Sequence, residues 1–545
     1  MDRRKFLRMS ALSSTSAMLL NGHSLSAFSQ TNLLNRIPQS VIGDRALVLV
    51  QLRGGNDGLN TLIPIAQYDD YARLRPTIRI KETGLHGGIP LDDTLASSQQ
   101  AYLHPSLTGL KSLYDEGKLN ILHAVGYPQL NRSHFASRAI MFQGGDGTIE
   151  NSGKPDGWMA RFLYSAYDHE KYLDPLGIQL GSNKPSLGFQ SSHEHKVDLN
   201  LSGQDVSGYY SIVSNIGNPS PEIPVSDYGS ALAHISNIER GISTYSKRIS
   251  EVFDIGLSKR NAGSTINYPS NNKLADQLKT VATLIRGGSK TKVFLVSYNG
   301  FDTHGNQVQS ESESHIGKHA DLLKDVGDAL KYFQDDLKML GIEDQVVSAT
   351  FTEFGRKPVE NGNLGTDHGN LGPMFVVGKH VQGGVSGDHV DLTKVTELYD
   401  NELMQHDYRQ VFTSIISDFL GATNASIVET EFEDFSASKL NLIDANQKAD
   451  TSLSLETILK DKIVTLSENP VSSSFNINYI SNRYFRGRIE LKSMAGSSVF
   501  NMRQDFVPRL NVVPIEISHL ISGVYILVMF DEKNQPFHKQ KIFKK

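Results

Sequence analysis

Five short segments of the sequence combine glycine or other turn residues with side chains that could act in catalysis. They contain carboxylates, histidines, hydroxyls and arginines, and they span residues 53–58, 131–135, 299–305, 352–356 and 365–369. Carboxylate oxygens and imidazole nitrogens are ligands that Zn²⁺ and Mn²⁺ accept in proteins. A hydroxyl beside such an ion can serve as a nucleophile. These segments therefore hold the donor types of a metal site with a nearby nucleophile.

Each segment lies next to an apolar run that predicts a buried strand. The predicted strands span residues 46–52, 119–125, 292–298, 346–351 and 374–377. Amphipathic helical runs alternate with them, most clearly over 315–340 and 274–285. This alternation predicts an α/β fold with a mainly parallel sheet flanked by helices, in which ligands bind beyond the carboxyl ends of the strands. We therefore expect the five segments to meet at one edge of the sheet.

The same residues also have purely structural interpretations. Asp57 could bond its own backbone within a glycine turn, and Asp302 and His304 could form a simple hydrogen-bonded pair. Glu353 and Arg356 could form an ion pair that only stabilises the fold. One such segment would carry little weight, but five at one sheet edge favour a functional site.

The composition excludes several classes of protein. The chain has 545 residues with 54 Lys and Arg against 59 Asp and Glu, a formal charge of −5. This balance argues against a nucleic-acid binder, because phosphate contacts need clustered basic residues. The chain contains no cysteine, which excludes disulfides, thiolate ligands, cysteine nucleophiles and any residue made by oxidising cysteine. A metal ion must therefore be held by His, Asp, Glu or Asn.

The two ends of the chain differ from its body. Residues 1–30 place basic residues before a short, mildly apolar run, which predicts an export signal. Arg3 and Arg4 make it resemble a twin-arginine signal, which implies the twin-arginine export machinery, with the general export machinery as the alternative. Residues 191–270 are polar, which predicts a cap or insertion. Residues 425–454 are predicted to be a linker. Short alternating runs predict a small all-β sandwich over 455–545.

The C-terminal segment also resembles a known secretion module. Residues 468–471, 492–496, 522–527 and the basic ending 541–545 match landmarks of the type A sorting domain of the type IX secretion system. The alternative is a carbohydrate-binding or adhesion β-module. The resemblance implies handling by the type IX machinery, a Bacteroidetes-type source and a protein that is secreted or held at the cell surface.

The body of the chain, residues 44–424, resembles the secreted bacterial family called domain of unknown function 1501. The matching landmarks are residues 52–60, 103–105, 131–135, 301–304, 352–356 and 365–369. The family is grouped with the alkaline phosphatase-like superfamily, which implies that fold. Members of the superfamily use one or two metal ions and an activated nucleophile to cleave phosphate or sulfate esters.

The resemblance assigns roles to individual residues. It implies a metal ligand at Asp57, which follows the first strand, and implies that Asp302 and His304 bind one metal. At the start of the helix after the second strand it implies a nucleophile. Ser133 is the conventional choice, and His134 is a metal ligand or, in the alternative, a phosphohistidine.

Two alignments are open for the last two segments. In the first, Asp367 and His368 are the Asp-His pair of the superfamily. In the second, which the strand order favours, Glu353 replaces the aspartate, Phe354 replaces the histidine, and His368 is a later lone ligand. The second alignment leaves one histidine fewer than a complete two-metal site.

The predicted cofactor is one or two divalent ions, zinc or manganese. Ser133 would be activated by an ion, and Arg53 or Arg356 would bind the oxygens of an anionic ester. The predicted metal ligands are the remaining carboxylates and histidines of the five segments: Asp57, Asp302, His304, Glu353, Asp367 and His368.

These observations predict an exported metal-dependent hydrolase of phosphate or sulfate esters. The absence of cysteine favours phosphate esters slightly, because the common sulfatase nucleophile derives from cysteine. Two alternatives stay open: a non-catalytic surface protein of the same fold that binds a polyanion or carbohydrate, and a scaffold protein that acts through the cap.

Overall fold

The computed structural model describes a large part of the chain. The described residues are 18–20, 23–25, 44–149, 153–167, 174–192, 197–201, 206, 227–395, 404–449, 464–466, 469–481, 485–494, 496–506 and 510–545. Two short strands near the N-terminus, β1 (Met18–Leu20) and β2 (His23–Leu25), pair antiparallel. The rest of the expected export signal lies outside the described residues, as does most of 193–226 in the expected cap. The chain divides into two compact units, one of which spans Ser40–Ala449.

The strands of the Ser40–Ala449 unit follow one another along the chain. They are β3 (Ala46–Arg53), β4 (Leu62–Pro64), β5 (Ile89–Pro90), β6 (Ala101–Leu103), β7 (Leu119–Gly126), β8 (Gly177–Gln179), β9 (Asp198–Asn200), β10 (Val293–Asn299), β11 (Val346–Phe351), β12 (Gly372–Val377), β13 (Gly384–Ser386) and β14 (His406–Asp407). A small antiparallel sheet has the order β4-β6-β5. The other strands form the main sheet.

The main sheet is mainly parallel, as predicted. Its order is β13-β7-β12-β11-β3-β10-β8-β9, and β14 also pairs with β7. Only β12 among these strands runs against its neighbours, pairing antiparallel with both β11 and β7. The N-terminal end of β12 therefore lies at the edge where β3, β7, β10 and β11 end. The segments that follow these four strands and the segment that precedes β12 reach the same edge.

Helices cover both faces of the sheet. They are α1 (Gly58–Thr61), α2 (Tyr68–Leu74), α3 (Thr108–Asp115), α4 (His134–Gln143), α5 (Trp158–Ala166), α6 (Asp227–Gly263), α7 (Lys273–Gly287), α8 (Lys318–Met339), α9 (Tyr408–Asp418) and α10 (Asn424–Thr430). Side chains of β3 alternate between the two faces, because successive residues of a strand point to opposite sides. Val48 and Val50 pack in the core with α7 and α8, and Leu47 and Leu49 pack in the core with α5 and α9.

The two clearest predicted helices correspond to α7 and α8. Helix α8 starts three residues later than the apolar pattern suggests, because Gly317 adopts a φ of 121° directly before it. Ile316, assigned to the apolar face from sequence, lies outside the helix and is 37% exposed. The buried face of α8 otherwise follows the predicted spacing, from Leu322 to Leu337. Both helices therefore take the positions that their apolar periodicity indicates.

The segment expected to be a linker differs from that expectation over its described part. Within residues 425–449, Ile427, Phe432, Leu442 and Ile443 are buried in the core beside α5 and α9. The ring of Phe432 lies 5.5 Å from that of Trp158, centroid to centroid. The spacing of these apolar residues in the sequence follows neither the helical nor the strand period, so the sequence pattern did not predict their burial.

The second unit contains the C-terminal strands. They are β15 (Val464–Leu466), β16 (Ser474–Ile480), β17 (Phe485–Ser493), β18 (Ser498–Phe506), β19 (Leu510–Glu516), β20 (Gly523–Phe530) and β21 (Pro536–Lys544). They form two antiparallel sheets with the orders β15-β16-β19 and β18-β17-β20-β21 around one apolar core. The predicted C-terminal all-β region is confirmed. Over the part of the chain that the structure describes, no helix has the length and apolar character needed to cross a membrane.

Candidate metal centre

Three potential metal ligands from distant parts of the chain meet at the carboxyl edge of the main sheet. Among the described residues, ligand atoms of His134, Asp302 and His368 all lie within 4.8 Å of one another. Asp302 Oδ2 is 3.4 Å from His134 Nε2, and Asp302 Oδ1 is 3.3 Å from His368 Nε2. Two imidazoles and one carboxylate therefore converge on one point, and we call these three residues the ligand trio.

The sheet topology explains why the trio meets. His134 is the first residue of α4, Asp302 follows β10, and His368 precedes the antiparallel strand β12. Gly54, directly after β3, has a φ of 125°, and a Cβ there would lie 2.2 Å from the backbone nitrogen of Asp302. Glycine at this position lets the loops after β3 and β10 approach closely.

Glu353 orients His134. Its Oε1 lies 3.0 Å from His134 Nδ1 and also accepts a hydrogen bond from the backbone nitrogen of Gly54 at 3.0 Å. Because a carboxylate accepts, His134 Nδ1 donates to Glu353, and Nε2 is the ring nitrogen that faces Asp302. That Nε2 is buried without a hydrogen-bond partner among the described residues. The arrangement is the one that metal-ligating histidines use.

Arg356 holds Asp302 in place. Its Nη2 donates to Asp302 Oδ1 at 2.7 Å, while its other donors bond the carbonyl oxygens of Gly55, Thr366, Phe301 and Gly54. Partial burial raises the pKa of Asp302, but the hydrogen bond and charge of Arg356, with smaller effects of the neighbouring histidines, lower the pKa to about 2. Asp302 is therefore an anion at any physiological pH. The buried Arg356 thus positions this carboxylate, and each of its three nitrogens donates to a protein oxygen.

His368 is oriented by the backbone and His304 by Asp302. His368 Nδ1 donates to the carbonyl oxygen of Arg132 at 2.8 Å, which leaves the lone pair on Nε2, facing Asp302. Burial lowers the pKa of His368, so its ring is neutral at pH 7. His304 Nδ1 lies 2.8 Å from Asp302 Oδ1, beside the trio. Each imidazole of the trio thus directs its Nε2 toward the same carboxylate.

Asp57 lies in a different environment. It is fully buried, and Oδ2 accepts hydrogen bonds from Arg75 Nη1 at 2.6 Å and Gln307 Nε2 at 2.5 Å. Burial raises the pKa of Asp57, but the charge and hydrogen bond of Arg75 lower it further than burial raises it, with help from His319 and Gln307. Its charge is therefore compensated by an arginine of the same chain.

The other predicted site residues surround the trio. Ser133 is exposed and directly precedes α4, beside His134. Asp367 is half-buried, and its Oδ1 accepts a hydrogen bond from Asn361 Nδ2 at 3.1 Å. In the alignment that the strand order favours, Phe354 replaces a histidine of the superfamily. Its ring packs against His134 and His368 at centroid distances of 4.8 and 4.5 Å. It fills the space behind the two imidazoles.

Sequence reasoning missed the residues that support this centre. Arg75 lies at the end of α2 in a polar stretch, and Gln307 lies in a loop, so no spacing links either to Asp57. Arg356 was expected to bind ester oxygens, and the structure places it in the interior, where it bonds backbone carbonyl oxygens and Asp302. The Gly-rich loop after β3 was the signal that a close backbone approach occurs there.

A sheet of this kind with carboxylates and imidazoles at its carboxyl edge defines an α/β protein with a candidate metal centre. Residues 226–411 match the family model described as protein of unknown function (DUF1501), which confirms the predicted family resemblance over that segment. Residues 469–545 match the secretion system C-terminal sorting domain. The protein is therefore exported by the type IX route and is secreted or held at the cell surface.

Several solved structures are similar to this chain. A protein in the alkaline phosphatase superfamily from Vibrio parahaemolyticus is 12% identical, with 98% of this chain and 90% of that chain covered and a TM-score of 0.30. A Bacteroides thetaiotaomicron protein described with the metabolism of multiple glycosaminoglycans is 9% identical, with 92% and 89% covered and a TM-score of 0.30. Ps i-CgsB in complex with a neocarrahexaose is 10% identical, with 81% and 83% covered and a TM-score of 0.29. No curated protein matches the chain.

Proposed function

We propose that the protein is an exported hydrolase of phosphate or sulfate esters that uses one divalent metal ion bound by His134, Asp302 and His368. The observation that carries the proposal is the convergence of the three ligand atoms within 4.8 Å. Two imidazoles and a carboxylate are a donor set found in catalytic zinc sites, and manganese accepts the same ligands. The buried, unpartnered Nε2 of His134 fits this role, because such an atom is costly without a partner.

The protein side chains would divide the chemistry as follows. A divalent ion bound to the trio supplies charge stabilisation for the ester oxygens. Glu353 keeps the proton of His134 on Nδ1, and Arg356 keeps Asp302 ionised and in position. Ser133 presents an exposed hydroxyl one residue before His134, so it is the proposed nucleophile. His134 Nδ1 bonds Glu353, and Nε2 is the atom proposed to bind the metal, which argues against a phosphohistidine.

We propose one ion rather than two because Asp57 already has a cation. Arg75 and Asp57 are both fully buried and directly paired, so the positive charge that a second ion would provide is present in the guanidinium. Asp367 and Glu353 each accept a hydrogen bond from another protein group. Among the described residues, neither forms a hydrogen bond with Asp57. Among the residues that the structure describes, the second predicted metal therefore has no ligand set comparable to the trio.

Elemental analysis of the purified full chain tests the metal centre. We expect about one equivalent of zinc or manganese in the wild type and loss of that metal in His134→Ala and His368→Ala. His315→Ala is the matched control, since His315 is a partly exposed histidine that stacks on His86 outside the centre. Wild-type protein with no metal after reloading would refute the proposal. It would favour the non-catalytic binding protein instead.

Turnover is tested separately with aryl phosphate and aryl sulfate esters. Metal-loaded wild type should hydrolyse one of the two classes, and Ser133→Ala should lose hydrolysis while it keeps the metal. A loaded protein that hydrolyses neither ester class, at any pH from 5 to 10, would contradict the hydrolase assignment while leaving the metal centre intact.

A further inference from the structure

A cleft whose walls come from α1, β7 and the start of β12 is lined by two buried histidines, His123 and His389. Its empty volume is about 400 Å³, part of which is open to solvent. The proposed ester chemistry uses neither histidine. Clefts of this size with apolar walls and a few polar groups are typical of sites that bind small molecules. Most of the other side chains that line this cleft are apolar, among them Leu59, Leu62, Leu371, Pro373 and Val390.

A bulge in strand β7 sets the direction of His123. In the pairing of β7 with β12, the two residues His123 and Ala124 lie opposite the single residue Pro373. Ala124 has a φ of 48°, a backbone conformation that residues other than glycine rarely adopt. Bulges change the direction of side chains, and strained backbone is concentrated at functional sites. The strain at Ala124 therefore favours a functional role for this part of the strand.

One nitrogen of His123 lacks a partner. His123 is only 4% exposed, and its Nε2 is buried without a hydrogen-bond partner among the described residues. Burial lowers the pKa of His123 to about 3, and the neighbouring His389 lowers it further, so the ring is neutral at pH 7. A buried polar atom is costly when it has no partner. A ligand in the cleft that carries a hydrogen-bonding group would supply the missing contact.

His389 is held beside His123 by the segment before β6. Its backbone nitrogen donates to the carbonyl oxygen of Ser98 at 2.8 Å, and its Nε2 donates to the carbonyl oxygen of Gln100. The ring centroids of His123 and His389 are 4.6 Å apart. Burial lowers the pKa of His389 as well. The two rings thus form a fixed and uncharged polar patch in a cleft that is otherwise mainly apolar.

The lining favours an uncharged ligand over an ion. Arg356 also lines the cleft, but each of its three nitrogens donates to a protein oxygen. None of the described residues that line the cleft is acidic. Among the described residues, no third ligand atom converges with the two imidazoles, so the cleft does not repeat the arrangement of the trio. A hydroxyl group fits His123 Nε2 in either tautomer of the ring, because a hydroxyl both donates and accepts.

We propose that this cleft binds an uncharged small molecule that consists of an apolar ring or short chain with a hydroxyl group, and that the hydroxyl bonds His123 Nε2. The apolar part of the ligand contacts the leucine, proline and valine side chains of the walls, and burial of its surface provides most of the affinity. No residue of the ligand trio lines the cleft. The proposal therefore goes beyond the proposed function and does not rest on it.

Calorimetric titration of the full chain with phenol and with toluene tests the site, because the two probes are similar in size and differ by a hydroxyl against a methyl group. We expect His123→Leu to weaken phenol binding by about tenfold, since one hydrogen bond is lost, and to leave toluene binding unchanged or tighter. Val390→Trp should abolish the binding of both probes, because the larger side chain fills the cleft. His380→Leu is the matched control, since His380 is a buried histidine that pairs with Asp344 and does not line the cleft.

Several results would overturn the proposal. Wild-type protein that binds neither probe would show that the cleft holds only water. An equal loss of phenol and toluene in His123→Leu would show that the hydroxyl is not recognised by this ring. Phenol binding that is unchanged in Val390→Trp, or weakened as much in His380→Leu as in His123→Leu, would place the probe elsewhere. Circular dichroism checks that each variant is folded, and metal content and ester turnover are measured independently of these titrations.

Discussion

Replacing Arg75 by methionine separates a structural ion pair from a second metal site. Arg75 and Asp57 are both completely buried, 2.6 Å apart, and the guanidinium also bonds the carbonyl oxygens of Lys357 and Pro358 at 2.8 Å. In Arg75→Met the aspartate would be left as a buried charge without its cation. We therefore expect a large loss in the free energy of unfolding, with the metal of the trio retained.

The size of the effect follows from the burial. Removing one partner of a buried ion pair costs about 3–5 kcal/mol, because the remaining charge is uncompensated. The double variant Asp57→Asn/Arg75→Met has no buried charge at this position. It should be more stable than Arg75→Met alone, although it carries one substitution more.

The effect should also depend on pH in a defined direction. In the wild type, the pKa of Asp57 is lowered, so its stabilising contribution is present above the ordinary pKa and is lost as the pH falls through the lowered value. Without Arg75, burial would raise this pKa instead. Asp57 would then take up a proton in mildly acidic buffer, and the deficit of Arg75→Met should shrink between pH 7 and pH 4.5.

Urea unfolding at pH 7 and pH 4.5, followed by circular dichroism, measures these differences, with elemental analysis of every variant beside it. Arg73→Met is the matched control, since Arg73 is a neighbouring arginine whose salt bridge with Asp70 is exposed. A small and pH-independent effect of Arg75→Met would refute the reasoning. So would two metal equivalents in the wild type with one lost in Asp57→Asn, because Asp57 would then hold an ion.

Three further predictions concern the centre itself. Glu353→Gln should weaken metal binding by about tenfold to a hundredfold, because the group that orients His134 is changed. Competition with a chelator measures the metal affinity. An unchanged affinity would contradict the role of Glu353. On acidification, protonation of the histidines should release the metal before Asp302 is protonated, because the pKa of Asp302 is about 2. If the metal were released completely only near pH 2, the result would count against the trio. Asp302→Asn should abolish metal binding at pH 7, whereas Asp367→Asn should leave it intact, as measured by elemental analysis.

Much of the architecture was predictable because the strands are strongly apolar. Strand β11 spans the predicted residues, and β3 extends one residue beyond its prediction. The convergence of the segments that follow β3, β7, β10 and β11 at one edge followed from parallel strand direction. That Asp302 and His368 meet depends on the antiparallel direction of β12, which no short-range pattern in the sequence encodes.

The partners of the charged residues could not be predicted, because they are distant in sequence. Arg356 pairs with Asp302, which lies 54 residues away, and Arg75 pairs with Asp57, which lies 18 residues away. The sequence around each of these residues does not identify its partner. Burial decides between a group that binds a ligand and one that supports another side chain, and burial is a property of the finished fold.

The hairpin-like loop between β11 and β12 has a consequence for the order in which the protein folds. Arg356 and His368 form an antiparallel bridge within this loop, a local contact with a small entropic cost of closure. The contact of His134 with Glu353 spans 219 residues, and that of Asp302 with His368 spans 66. Local contacts form before distant ones on average, so His368 and Glu353 should be in place early and His134 late. An ion captured by all three ligands during refolding would therefore mark the moment at which the sheet is complete.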